Sequence, residues 1–192
     1  MFDTPNIHAA AVVYSAQTPN KAALSSFAAQ MGQQGYSVGG IIQDILYDER
    51  GVKIGADAVA LDNGDRFPIV RPSKEDIAAG SCGLDQSVLT ESSIILRRAI
   101  AARVDLLVVE KFGEREQLGE GLADDIMAAM SEGIPVLVAV PASAVEKWKK
   151  FTGGLGDMLP SEITVLQSWW QRRQVSPKQT QFGQHEVIGI GK

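Results

Sequence analysis

The sequence predicts a three-layer α/β domain built on a mainly parallel sheet with an antiparallel meander inserted, and three observations carry that prediction. Continuous apolar runs at residues 7–15, 105–109 and 134–141 read as strands buried on both faces. Helically spaced segments separate them, an alternation that produces parallel strands with crossover helices. Between the first and second runs lies a glycine-punctuated stretch, residues 36–71, whose short apolar segments read as antiparallel strands.

The elements follow in order. IHAAAVVYS, residues 7–15, is the opening strand. After a Pro-Asn turn, Ala23, Leu24, Phe27, Ala28 and Met31 recur at helical spacing, and Gly32 or Gly35 closes that helix. Residues 36–71 give one strand and then a meander of two or three, turned at Glu49-Arg50-Gly51 and at Asn63-Gly64. An irregular stretch precedes a long helix with apolar residues at Val88, Leu89, Ile94, Ile95, Ala99 and Ile100. That helix leads into DLLVVEKFG, residues 105–113. A further helix is expected from Leu118 to Met130, stopped at Gly133 and followed by the strand at 134–141. Residues 142–151 form a short amphipathic helix around Trp148, the glycines at 153–156 make a turn, and EITVLQSWWQRR reads as a strand turning into a helix. Residues 1–170 are expected to make a single domain, and residues 171–192 a polar C-terminal tail.

Composition narrows the function. The 192 residues carry a net charge of −5, so no general basic surface exists for nucleic acid. One cysteine, Cys82, excludes an intrachain disulfide, and no zinc cluster or other metal site is spelled out. No apolar run is long enough to span a bilayer and no leader is visible, which predicts a cytoplasmic protein without membrane insertion. His8 and His185 are too isolated for a triad. The three tryptophans read as packing residues.

Two segments bear on chemistry. The strand-to-helix loop SAQTPNKA has the frame of the phosphate-binding loop G-x-x-x-x-G-K-[ST], whose glycines let backbone N–H groups wrap a phosphate chain. Lys21 is retained, Ser15 and Asn20 replace the two glycines, and Ala22 stands where a hydroxyl would hold magnesium. Asn20 tolerates a left-handed turn, whereas Pro19 removes a donor. At the end of the 105–109 strand, Glu110 stands where such enzymes keep a metal-side acid, and Lys111 follows it. A protonated lysine cannot act as a general base, but it can neutralise a bound anion. Glu116 is a second candidate acid. Gly80, Ser81, Cys82 and Gly83 precede the long helix, where their N–H groups could form an anion nest; Asp85 as a simple helix cap accounts for the segment equally.

In this order the motifs resemble the thermophilic-type nucleoside-triphosphatase family of P-loop proteins, from the opening strand to GIPVLVAV. The phrases LDNGDRFPI, GSCGLD, LLVVEKFGERE, GIPVLVAV and FTGGLG resemble, up to Trp170, a bacterial domain family of unknown function. That family is a diverged branch of the same group and is associated with molybdate transport genes. The resemblance implies a P-loop NTPase-like fold, and for the active family it implies ATP or GTP hydrolysis with magnesium. Four substitutions at the chemical centre, Ser15, Asn20, Ala22 and Lys111, weigh against hydrolysis and against magnesium.

Three readings follow. The favoured one is a non-hydrolysing binder of a small anion, a nucleotide or an oxyanion, with an accessory role in molybdenum metabolism and with Ser15, Asn20, Lys21, Lys111 and the 80–83 nest as ligand-binding candidates. The second is a nucleoside triphosphatase using Glu110 and Glu116. The third is a scaffold that contacts a protein partner or a second copy of itself.

Overall fold

The computed structural model describes residues 8–18, 22–70 and 87–174. Lys21 and Asn20 of the loop, the Gly80–Gly83 segment and residues 175–192 lie outside the described residues.

Seven strands form one sheet. β1 (Ala9–Tyr14) opens the chain, and α1 (Ala23–Gln33) returns to β2 (Val38–Tyr47). β3 (Lys53–Ala60) and β4 (Arg66–Val70) complete the meander. After α2 (Ser87–Ala101) come β5 (Leu106–Val109), α3 (Glu114–Gln117), α4 (Ala123–Ser131) and β6 (Val136–Pro141). A 3-10 turn (Ala142–Ala144), α5 (Val145–Phe151), β7 (Asp157–Pro160) and α6 (Ile163–Gln174) close the described chain.

The strand order is β4-β3-β2-β5-β6-β1-β7. From β2 to β7 every pairing is parallel, and β3 and β4 add to β2 antiparallel, with Ile41 opposite Ala60 and Asp44 opposite Asp57. The sequence explains the arrangement. β1, β5 and β6 are almost wholly apolar and buried, as strands covered on both faces must be. Alternation then divides their side chains between two cores. Ala9, Ala11, Leu107, Val109, Val136 and Val138 pack under α2, α4 and α5 on one face. Ala10, Val12, Leu106, Val108, Leu137 and Ala139 pack under α1 and α6 on the other. Each large aliphatic or aromatic side chain buried this way contributes roughly 1.5–3 kcal/mol.

The Gly39-Gly40 pair in β2 has a steric reason. A Cβ on Gly39 would lie 2.5 Å from the Ala99 Cβ of α2, and one on Gly40 would lie 1.9 Å from the Val108 carbonyl oxygen of β5. Gly40 also holds φ at +113°, which side chains disfavour. The pair therefore lets β2 dock tightly against both neighbours.

Two expected elements differ. The helix expected over 118–130 begins only at Ala123, as α4, because Gly119 and Gly121 turn the chain at φ +79° and +61°, and the short α3 before those glycines was not expected. The strand expected in EITVL is helix, and the seventh strand lies just before it at Asp157–Pro160. Burial decides that case. Leu166, Trp169 and Trp170 fall on one helical face against α1 and the sheet, overriding the strand preference of Ile163, Thr164 and Val165. Pro160 is tolerated because β7 is an edge strand. All three tryptophans are buried. Trp148 meets Phe112 edge to face, and Trp169 donates through its indole N–H to Asp157 at 2.8 Å.

Candidate functional site

Open α/β sheets bind ligands outside the carboxyl ends of their parallel strands, and both chemistry-bearing segments lie at that edge. The turn after β1 begins at Ser15, and the turn after β5 begins at Glu110.

In the first turn the amides of Ser15, Gln17 and Thr18 have local partners. The Ser15 N–H donates to the Thr18 hydroxyl at 2.7 Å, the Gln17 N–H to the Ser15 hydroxyl at 3.2 Å, and the Thr18 N–H to the Ser15 carbonyl at 3.2 Å. Ser15, in the place of the first glycine, thus bonds inward to its own loop. A glycine there would have left the Gln17 amide without that acceptor.

The second turn is held by carboxylates. β5 aims Glu110 at the neighbouring β2, where one carboxyl oxygen accepts from the Gln43 N–H at 2.5 Å, and the Glu110 N–H donates back to the Ile41 carbonyl at 3.0 Å. Burial, partly offset by the Gln43 amide and reinforced by Asp44, pushes the Glu110 carboxyl up to about 7. Tyr14, at the end of β1, is raised by its own burial and by the charge of Glu110, so its phenol stays neutral. Glu116 is buried and has both oxygens engaged: one accepts from the Gly113 N–H at 2.8 Å, the other from the Leu122 N–H at 3.0 Å. It is the acidic half of a capping box at the start of α3, and it also ties down the glycine turn before α4. A side chain at Gly121 would strike it, with a Cβ 2.3 Å from its Oε1.

Lys111 is exposed, folds back over Gly113, and has no ion-pair partner among the described residues. A cavity of about 640 Å³ opens beside it. Among the described residues no cluster of His, Cys, Asp or Glu is arranged to hold a metal ion. No described helix is long and apolar enough to cross a membrane.

The structure therefore brings Ser15, Glu110, Lys111 and Glu116 to one edge of the sheet and gives them unequal freedom. Tyr14 and Gln43 belong to this site and were not evident from sequence. Gln43 contributes only a backbone N–H, and Tyr14 reads as the last apolar residue of a strand. The capping role of Glu116 was detectable, since it stands three residues after Gly113 at a helix start. Arg97 and Arg98 are structural, paired with Asp125 at 2.9 Å and with Asp62 at 2.7 Å.

Comparison with known proteins agrees with this fold. A segment of the molybdenum import ATP-binding protein ModC 2 of Bradyrhizobium diazoefficiens is 38% identical over 162 residues, 84% of this chain but 18% of that protein. The nucleoside-triphosphatase THEP1 of Methanopyrus kandleri is 28% identical over 108 residues, 56% of this chain and 59% of that one. The chain thus spans under a fifth of the first relative and under two thirds of the second. Among solved structures, a human cancer-related nucleoside triphosphatase superposes with a TM-score of 0.65 at 17% identity, covering 88% of this chain and all of that one. THEP1 of Aquifex aeolicus gives 0.57 at 14% identity, covering 86% and 96%. These likenesses establish a P-loop NTPase-like fold. The family described as a protein of unknown function (DUF2478) matches residues 9–169, and the chain belongs to it.

Proposed function

We propose that the domain, residues 1–170, binds a small anionic ligand, a nucleotide or an oxyanion, at the carboxyl ends of β1 and β5 without hydrolysing it. One observation carries the reading. The two acids that stand as catalytic candidates, Glu110 and Glu116, are bound to the chain's own backbone amides, while Lys111 stands unpaired among the described residues. Metal-assisted hydrolysis needs a carboxylate free to hold magnesium through water and a base free to orient the attacking water. Glu116 has no free oxygen, Glu110 is half-protonated near neutral pH, and Ala22 has no hydroxyl to offer a metal. A cation at a strand end, by contrast, can hold an anion without a metal. The inward-bonded amides after β1 support the same reading, because they lower the backbone's capacity to cradle phosphates. Recognition then rests on side-chain cations, Lys111 and the retained Lys21.

An accessory role in molybdenum metabolism is the second part of the proposal, supported by the 38% identity to a segment of a molybdenum import ATP-binding protein. It makes molybdate the oxyanion to test beside ATP and GTP.

Thermal unfolding with each ligand, with and without magnesium, tests the proposal. A ligand at a hundred times its dissociation constant adds about 2.7 kcal/mol, or roughly 5–10 °C for a domain of this size. The expected result is a shift by one ligand class that does not need magnesium and that Lys111→Ala reduces. A flat response across the panel would leave the scaffold reading in its place.

A further inference from the structure

The cavity beside Lys111 lies away from the turn after β1: none of its described lining residues comes from β1 or from residues 15–18. It opens on the face covered by α2 and α4, between the meander and α3. At about 640 Å³ it falls within the range of small-molecule sites. Its floor is apolar, made by Ile41, Ala58, Ile69 and Phe112. The alanines are what create the space, since β3 presents Ala56 and Ala58 toward the cavity where longer side chains would fill it. Its rim is cationic, with Lys53 from β3 and Arg115 from α3 joining Lys111. None of the three has an ion-pair partner among the described residues. Three acids also line it: Glu116 has both oxygens bound to amides, Glu110 is drawn toward neutrality, and Glu114 alone stays exposed. The three cations thus narrowly outnumber the ionised acids. Ser92, itself buried, adds a hydroxyl that no described residue engages.

We propose that this cavity is a binding subsite adjoining the proposed anion site, taking a small organic anion whose apolar body lies on the Ala58–Ile69 floor and whose charged group meets Lys53 and Arg115. An inorganic oxyanion would leave the floor uncovered, and a neutral apolar molecule would leave the cations unanswered. The cavity adjoins the anion site at the carboxyl ends of β1 and β5 and shares Lys111 with it, whereas Lys53 and Arg115 line the cavity alone.

Calorimetric titration of the full chain with 1-naphthyl phosphate, inorganic phosphate and 1-naphthol tests this. The expected result is one equivalent of 1-naphthyl phosphate bound about tenfold more tightly than either of the others, as burial of an aromatic body together with a charge contact requires. Lys53→Glu and Arg115→Ala should each weaken it by about threefold or more, the scale of a half-exposed charge contact. Thermal shifts produced by ATP or molybdate should be unchanged in Lys53→Glu. Lys53 is exposed, so Lys53→Glu retains the fold and decides the matter even if Arg115→Ala does not. Binding no tighter than that of inorganic phosphate, or an affinity indifferent to Lys53→Glu, would overturn the proposal.

Discussion

The two turns at the carboxyl edge of the sheet solve the same problem with different groups. Each must satisfy backbone amides that a strand-to-helix transition leaves unpaired. The turn after β1 uses neutral hydroxyls, those of Ser15 and Thr18, at a half-exposed surface. The turn after β5 uses a buried carboxylate, Glu116, that reaches two amides nine residues apart in sequence. Hydrogen bonds to a buried charge are worth roughly twice neutral ones, and leaving their partners unsatisfied costs more. The difference teaches that an acidic residue near a P-loop-like site is not by that fact a chemical group. Glu116 has the position of a catalytic acid and the bonding of a structural one.

Breaking the stronger turn should give the largest effect. Glu116→Ala orphans the Gly113 and Leu122 amides in a buried setting and should cost about 3 kcal/mol, read as the change in chemical-denaturation midpoint. Glu116→Gln keeps one carbonyl acceptor and should cost distinctly less.

Glu110 should give the next effect, and with opposite sign. Its carboxyl titrates at about 7 in the folded chain against an ordinary value of 4.5, so the native state binds the proton more tightly. Stability from this group is therefore fully present below pH 4.5 and is lost as pH rises towards and through 7. Glu110→Gln should remove that slope and stabilise the protein at pH 8 by on the order of 2 kcal/mol. Thermal melts of both forms across pH 5 to 8 check the sign. A Glu110→Gln protein less stable at pH 8 would show that the ionised form is the one the fold favours.

The weaker turn should respond least. Thr18→Val keeps the shape and removes the acceptor of the Ser15 amide, for an expected loss of about 1 kcal/mol or less. Lys111→Ala should leave the melting temperature of the ligand-free protein unchanged while weakening anion binding, which separates recognition from stability in a single variant.

Much of the fold was legible because it rests on local patterns. The doubly buried runs gave β1, β5 and β6, and Asn63-Gly64 gave the β3–β4 turn. Where sequence reading failed, long-range burial decided. Ile163-Thr164-Val165 has strand character, yet Leu166, Trp169 and Trp170 need a helical face to reach the core. The break between α3 and α4 was written in Gly119 and Gly121, which helical spacing alone passes over. The site was legible only in outline. Glu110 could be placed at a strand end, but its engagement by the Gln43 amide joins residues 67 apart in sequence and depends on β2 lying beside β5. No local pattern encodes that neighbour.

The most direct test of binding without hydrolysis is phosphate release from ATP and GTP with magnesium, measured on the wild-type chain beside Glu110→Gln. The account predicts no release above buffer from either form, under conditions where the ligand that shifts the melt is bound. Magnesium-dependent release by the wild type that Glu110→Gln abolishes would contradict it, and would make Glu110 a catalytic acid.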